Sequence, residues 1–300
     1  MTQKIDSHHH LWRYKPDEYG WIGEKLAALR RDFLPVDMEP ELRAAGIDAT
    51  VAVQARQSIE ETEALLAFAR QFSWIRGVVG WAPIIAPDFP ANLGRLRGES
   101  KLKGVRHVVH DEPDDNYILR EDFNRGVAAL EGTGLVYDIL IYEKHLPQTI
   151  QFVDRHPRQV FVLDHIAKPL IAERLMEPWR SLIGELARRP NVYCKVSGMV
   201  TEARWESWRE EDLRPYWEVV LEAFGPRRLM AGSDWPVCLA APGAGGNAST
   251  IYARWFQTIE RWAAPLSADE RGRILGDTAV EAYALAPAAA GSEANTGSAN

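Results

Sequence analysis

The chain is predicted to fold as a single α/β domain, a (β/α)8 barrel. Three observations predict it. Between Lys4 and Leu285, short apolar or β-branched segments alternate eight times with helical ones. Several strand segments are near-continuous apolar runs, as expected for strands buried on both faces. No G-x-G-x-x-G or P-loop follows any strand, which disfavours an open doubly wound sheet.

Strand one is Lys4–His10. Side chains alternate along a strand, so Asp6, His8 and His10 are expected on one face and His9 on the other. Arg13–Val36 is a long connection carrying Tyr14, Tyr19, Trp21 and Phe33, and connections of this length often carry function. A short helix over Glu39–Ala45 leads to the β-branched strand Thr50–Gln54. Ser58–Phe72 has apolar residues at helical spacing and opens on a capping box, Ser58 with Glu61. Strand three, Ile75–Trp81, precedes a helix over Phe89–Leu96; strand four, Lys103–Val109, precedes one over Asp122–Leu130. Leu135–Ile141 and Leu146–Arg155 form the fifth pair, Val160–Asp164 and Pro178–Arg188 the sixth. Asn191–Val196 and Leu213–Phe224 form the seventh, Arg228–Ala231 and Ser249–Trp262 the eighth. A last helix, Asp269–Leu285, opens on the capping box Ser267–Glu270. The domain thus spans 1–285, and the Ala/Gly/Ser-rich tail 286–300 is expected to be disordered.

Composition narrows the function. A net charge of −7 argues against a nucleic-acid-binding surface. The two cysteines, Cys194 and Cys238, are far apart and make no disulfide framework. No apolar run is long enough for a membrane span, and the N-terminus does not read as a signal peptide, so a cytoplasmic protein without a membrane partner is expected. The eleven tryptophans suit core filling or an aromatic-walled pocket. Nothing in the motifs specifies an oligomeric state.

Barrel chemistry sits at the C-terminal ends of the strands, and almost every predicted strand delivers a polar group there. In order these are His8 and His10; Gln54 and Arg56; Trp81; Arg106 and His107; Asp138 and Tyr142; Asp164, His165 and Lys168; Lys195 and Ser197; Ser233 and Asp234. Two imidazoles converging from an H-x-H can hold a metal or polarise a carbonyl oxygen.

The ordered set D-x-H-x-H-x-W (Asp6–Trp12), G-V-R-H (Gly104–His107), Y-D (Tyr137-Asp138), L-D-H-x-x-K-P (Leu163–Pro169), K-x-S-G (Lys195–Gly198) and G-S-D-W-P (Gly232–Pro236) resembles the amidohydrolase superfamily. Within it the set looks like the amidohydrolase-related lactonase branch, which includes L-fuconolactonase-like and L-rhamnonolactonase-like sugar lactonases and 2-pyrone-4,6-dicarboxylate lactonase. The resemblance implies a hydrolase opening a small lactone, such as L-fuconolactone or L-rhamnonolactone. Binuclear members of the superfamily carry a carboxylated lysine at the end of strand four. Lys103 stands at the start of that strand, and His145 lies beyond strand five, so two metals are not expected. One divalent ion, zinc by ligand type, on His8, His10 and Asp234 with His165 is one reading. A metal-independent site, with the histidines donating directly to an oxyanion, is the other.

In this reading Asp234 is the general base that takes a proton from water. His8, His10 and His165 surround the carbonyl oxygen. Arg106 binds the ring oxygen, a hydroxyl or a carboxylate. His107 faces the other way on the same strand, so at most one of the two points inward. Gln54, Trp81, Lys195 and Trp12 are further candidates for substrate contact. Asp138, a buried strand acid, is expected to orient Arg106 or Lys195. The rival activity is a metal-dependent decarboxylase of an aromatic or muconate-like acid on the same barrel, and a barrel that only binds a sugar acid is the non-enzyme reading.

Overall fold

The computed structural model describes residues 3–286. Eight parallel strands stand in sequence order in one sheet: β1 (Ile5–His9), β2 (Ala49–Val53), β3 (Ile75–Gly80), β4 (Leu102–Val108), β5 (Val136–Leu140), β6 (Phe161–Leu163), β7 (Val192–Val196) and β8 (Leu229–Ala231). The Asp234 N–H donates to the His8 carbonyl at 2.8 Å and the His10 N–H to the Trp235 carbonyl at 2.6 Å, bringing the last strand's end back to the first. One helix follows each strand: α1 (Pro35–Ala45), α2 (Ile59–Gln71), α3 (Phe89–Arg97), α4 (Glu121–Ala128), α5 (Leu146–Arg155), α6 (Trp179–Leu186), α7 (Glu210–Phe224) and α8 (Ile251–Ala263). This is the expected (β/α)8 barrel. Among the described residues no helix is long and apolar enough to cross a membrane. The expected disordered tail lies, from 287 onward, outside the described residues.

Three local features depart from expectation. Helix α1 begins at Pro35, because proline at the first helical turn loses no intrahelical bond and Asp37 caps the Leu34 N–H at 2.8 Å. The last segment is not one helix: α9 (Ala268–Gly272) and α10 (Thr278–Ala282) flank a π turn over Arg273–Asp277. That turn presses Gly276 onto strand one, where an added Cβ would stand 2.0 Å from the Gln3 carbonyl oxygen. The third is a bulge in β1, where the pairing to β2 shifts between Asp6 and His9. Ile5 packs in the apolar layer with Val51 and Val53, and His8 lies beside Asp164 and Lys195. Asp6 therefore does not share the His8 face. It accepts bonds from the Ser233 hydroxyl (2.6 Å), the Ser233 N–H (2.9 Å) and Tyr252 of α8 (3.0 Å).

The apolar core has two layers. One lies between sheet and helices. The other fills the lower barrel with Val51, Val79, Val136, Val162 and Met230, and is floored by Ala279, Tyr283 and Leu285 from the C-terminal segment. Above it the interior turns polar with Asp138, Asp164, Lys195, Arg106 and His8. An apolar floor under buried charge fixes which end of the barrel can do chemistry.

Candidate active site

Four of the predicted residues meet at the C-terminal end of the barrel. The His10 Nε2 lies 3.2 Å from Asp234 Oδ1, His8 Nε2 3.8 Å and His165 Nε2 3.9 Å. The Nε2 atoms of His8 and His10 are 3.3 Å apart. Each ring is held by its other nitrogen. His10 Nδ1–H donates to the Val53 carbonyl at 2.8 Å, His165 Nδ1 bonds the Ser197 hydroxyl at 2.9 Å, and His8 Nδ1 sits 3.2 Å from Asp164. The K-x-S-G glycine has a steric reason: at Gly198, φ +63°, a Cβ would fall 2.4 Å from His165 Nδ1.

His165 stands in an uncommon backbone. Strand β6 stops at Leu163, and His165, Ile166, Ala167 and Lys168 all take positive φ, between 48° and 62°. Left-handed conformation costs roughly 1–2 kcal/mol per non-glycine residue, and such strain gathers at functional sites. In this tight turn, residues three apart share a face. His165 and Lys168 reach the cavity while Ile166 and Ala167 are wholly buried.

Beneath the histidines lies a buried charge network that meets the cavity only at Arg106. Asp164 takes the Arg106 guanidinium at 2.8 Å and the Lys195 ammonium at 3.0 Å; Lys195 also donates to Asp138 at 2.6 Å. Burial opposes ionisation of Asp164, yet Lys195, His8 and Arg106 hold its carboxyl well below the usual carboxylate range. Burial pushes Asp138 the other way. Burial also keeps His8 neutral far below its usual pKa and takes His165 down to about 4. For Asp234 burial works against the charge, but His165, His10 and Lys168 prevail and lower its pKa. At neutral pH the cluster presents a carboxylate beside neutral His8 and His165.

A cavity of about 340 Å³ opens above, floored by His10, His165, Asp234 and Arg106 and walled by Tyr142, Lys168, Glu202 and Trp205. Other candidates fall elsewhere. Lys195 lies below the cavity, so Asp138 orients Lys195 and not Arg106. Gln54 supports Arg106, its side-chain amide 3.4 Å from the Arg106 carbonyl and its own carbonyl taking the guanidinium. Trp12 packs in an aromatic cluster with Tyr19, Trp21 and Phe33, its indole bonded to the Arg31 carbonyl at 2.9 Å. Trp81 hangs on Thr62 through its main chain and does not line the cavity. His107 points away, 2.6 Å from Glu112 and stacked on Tyr117. The central role of Asp164 was missed; its place two residues after the inward Val162 was the available signal.

The donor set fits one metal ion. Because His10 Nδ1–H is committed to a carbonyl, Nε2 is the ring nitrogen left to face the Asp234 carboxylate, 3.2 Å away. Both atoms could ligate one cation placed between them. Tetrahedral zinc with bonds of ~2.0–2.1 Å holds its ligand atoms ~3.3 Å apart, close to the spacing of His8, His10 and Asp234.

With this geometry in hand, comparison with known proteins gives a consistent result. A family model described as amidohydrolase matches residues 5–285. An L-fucono-1,5-lactonase of Burkholderia multivorans is 43% identical over 293 residues, covering 94% of this chain and 96% of that one. An L-fucono-1,5-lactonase of Burkholderia ambifaria is 37% identical over 288 residues, covering 95% and 97%. The crystal structure of an amidohydrolase from Burkholderia multivorans with bound zinc superposes with a TM-score of 0.88 at 42% identity, over 95% of this chain and all of that one.

Proposed function

The chain belongs to the amidohydrolase family, and from that premise we propose that it is a lactonase that opens a sugar lactone of the L-fuconolactone or L-rhamnonolactone type. The observation that carries the reading is Asp234, a carboxylate held ionised on the cavity floor with three imidazole nitrogens within 3.9 Å. The relatives named for this activity span nearly the whole chain.

The substrate carbonyl lies over His10 and His165, with His8 buried behind them. A water between the carbonyl carbon and Asp234 gives its proton to the carboxylate as its oxygen bonds to carbon. The carbon–ring oxygen bond then breaks, and the proton on Asp234 passes to the departing oxygen, leaving a hydroxy acid. Arg106, fixed by Asp164 and the Gln54 carbonyl, offers its guanidinium to the substrate from the cavity floor. Zinc held by His8, His10 and Asp234, with His165 beside them, would polarise the carbonyl and acidify a bound water. A cavity of about 340 Å³ is near the small end of ligand sites, ~300–1,000 Å³, as suits one small ring.

Assay of a sugar-lactone panel with a pH indicator tests this. The expected result is stoichiometric acid release without carbon dioxide. Carbon dioxide from an aromatic acid, with every lactone untouched, would instead support the decarboxylase.

A further inference from the structure

The cavity wall holds an ion pair that the hydrolytic step does not use. Lys168 Nζ lies 3.2 Å from Glu202 Oε1, with both side chains less than one-fifth exposed. Lys168 arrives on the strained turn after β6. Glu202 comes from the loop after β7, where its carbonyl accepts the Ala172 N–H at 2.9 Å and locks the two loops together. An ordinary surface pair needs neither a left-handed backbone nor removal from water, which costs both ions hydration. Neither group is saturated. Glu202 takes one hydrogen bond among the described residues and has a second carboxylate oxygen free; Lys168 donates one of its three N–H bonds and lies 5.7 Å from the Tyr142 ring centroid. Trp205 lines the same cavity, its indole tied to the Thr201 carbonyl at 2.7 Å, which fixes the ring.

A free acceptor beside a free donor, next to an aromatic face, is a match for neighbouring hydroxyls. Each hydroxyl is donor and acceptor at once, so one can donate to Glu202 while the next accepts from Lys168. We propose that Lys168 and Glu202 form the subsite that reads adjacent hydroxyls of the substrate, making the enzyme selective for polyhydroxylated lactones over plain ones. This rests on the lactonase reading. Both groups bear electrostatically on Asp234, so each variant is read as a ratio between two lactones that share the same reacting ring.

The test compares kcat/KM on a 1,5-lactone of a six-carbon sugar acid with kcat/KM on δ-valerolactone, which has the same ring without hydroxyls. Glu202→Gln keeps the shape and removes the charge; Lys168→Gln repeats the test from the donor side, with thermal melts to verify folding. A hydrogen bond to a charged group carries roughly tenfold to a hundredfold in such a ratio. Each variant is therefore expected to lose at least tenfold more on the sugar lactone than on δ-valerolactone, mainly through KM for Glu202→Gln. Equal losses on the two lactones, or none, would overturn the subsite and leave the lactonase intact. A wild-type protein that opens neither lactone would overturn both.

Discussion

The hydroxyl of Tyr283 donates to Asp138 Oδ2 at 2.7 Å, at the floor of the barrel and on the far side of the charge network from the cavity. The same oxygen takes the Lys195 ammonium, which in turn reaches Asp164 and His8 Nδ1. The C-terminal segment thus steadies the His8 ring from below. Tyr283→Phe removes one donor from a buried carboxylate whose Oδ1 already has no partner. It should cost about 1–3 kcal/mol, read as a lower urea midpoint with an unchanged slope. A midpoint equal to wild type would show that the bond is idle.

Asp164 faces two buried cations, Arg106 and Lys195. Asp164→Asn leaves Asp138 as the network's sole acid. Breaking a buried pair by removing one partner typically costs about 3–5 kcal/mol, so this variant should be the least stable of those considered. Adding Lys195→Met removes the surplus cation and should recover part of the loss. A double-mutant cycle with no coupling between the two sites would contradict the network.

Asp234→Asn preserves shape and removes the proposed proton acceptor. General-base contributions are ~10²–10⁴-fold, so kcat should fall at least a hundredfold, with KM little changed because the lost interaction belongs to the transition state. A variant within tenfold of wild type would remove Asp234 from the role and move it to His165.

Metal analysis of protein purified without added metal should give one ion per chain. Chelation should lower both kcat and the melting temperature, and zinc should restore them. Two ions per chain would contradict a donor set in which Lys103 stands at the closed end of β4, bonded to the Ala284 carbonyl at 3.2 Å. Full activity in metal-free protein would leave the histidines to act alone.

Much of this was legible in sequence because a parallel barrel imposes strong rules. Apolar runs such as Thr50–Val53 mark the strands. Once eight strands are counted, His8, His10, His165 and Asp234 must meet at one end. What escaped reading was local. The β1 bulge turns Asp6 away from the His8 face, and nothing in I-D-S-H-H marks it. The left-handed turn from His165 to Lys168 contains no glycine, the residue that ordinarily signals positive φ. Trp12 and Trp81 follow the last residues of their strands, where two-residue alternation ceases to predict direction, and both miss the cavity. Glu202 belongs to a loop with no periodicity, and only the fold brings it to Lys168.

The capping box at Ser58 yields a last prediction, because its acid does a different job. Ser58 accepts the Glu61 N–H at 3.1 Å as expected, but the Glu61 carboxylate turns to the end of β2, accepting the N–H groups of Ala55 (2.9 Å) and Arg56 (2.7 Å). It also takes the Tyr19 hydroxyl at 2.9 Å, tying down the aromatic connection that carries Trp21 to the cavity. Burial outweighs these bonds and raises the Glu61 pKa from 4.5 to about 7. The folded state therefore holds this proton more tightly than the unfolded state. The stabilisation is complete below pH 4.5 and is lost as pH rises through 7. Glu61→Gln keeps an oxygen for the two N–H groups and turns its amide to the Tyr19 oxygen, without titrating. The variant should gain on wild type between pH 4.5 and pH 8, by up to about 3 kcal/mol. Urea unfolding at both pH values measures it; a stability difference that stays constant across that range would show that Glu61 is ionised in both states.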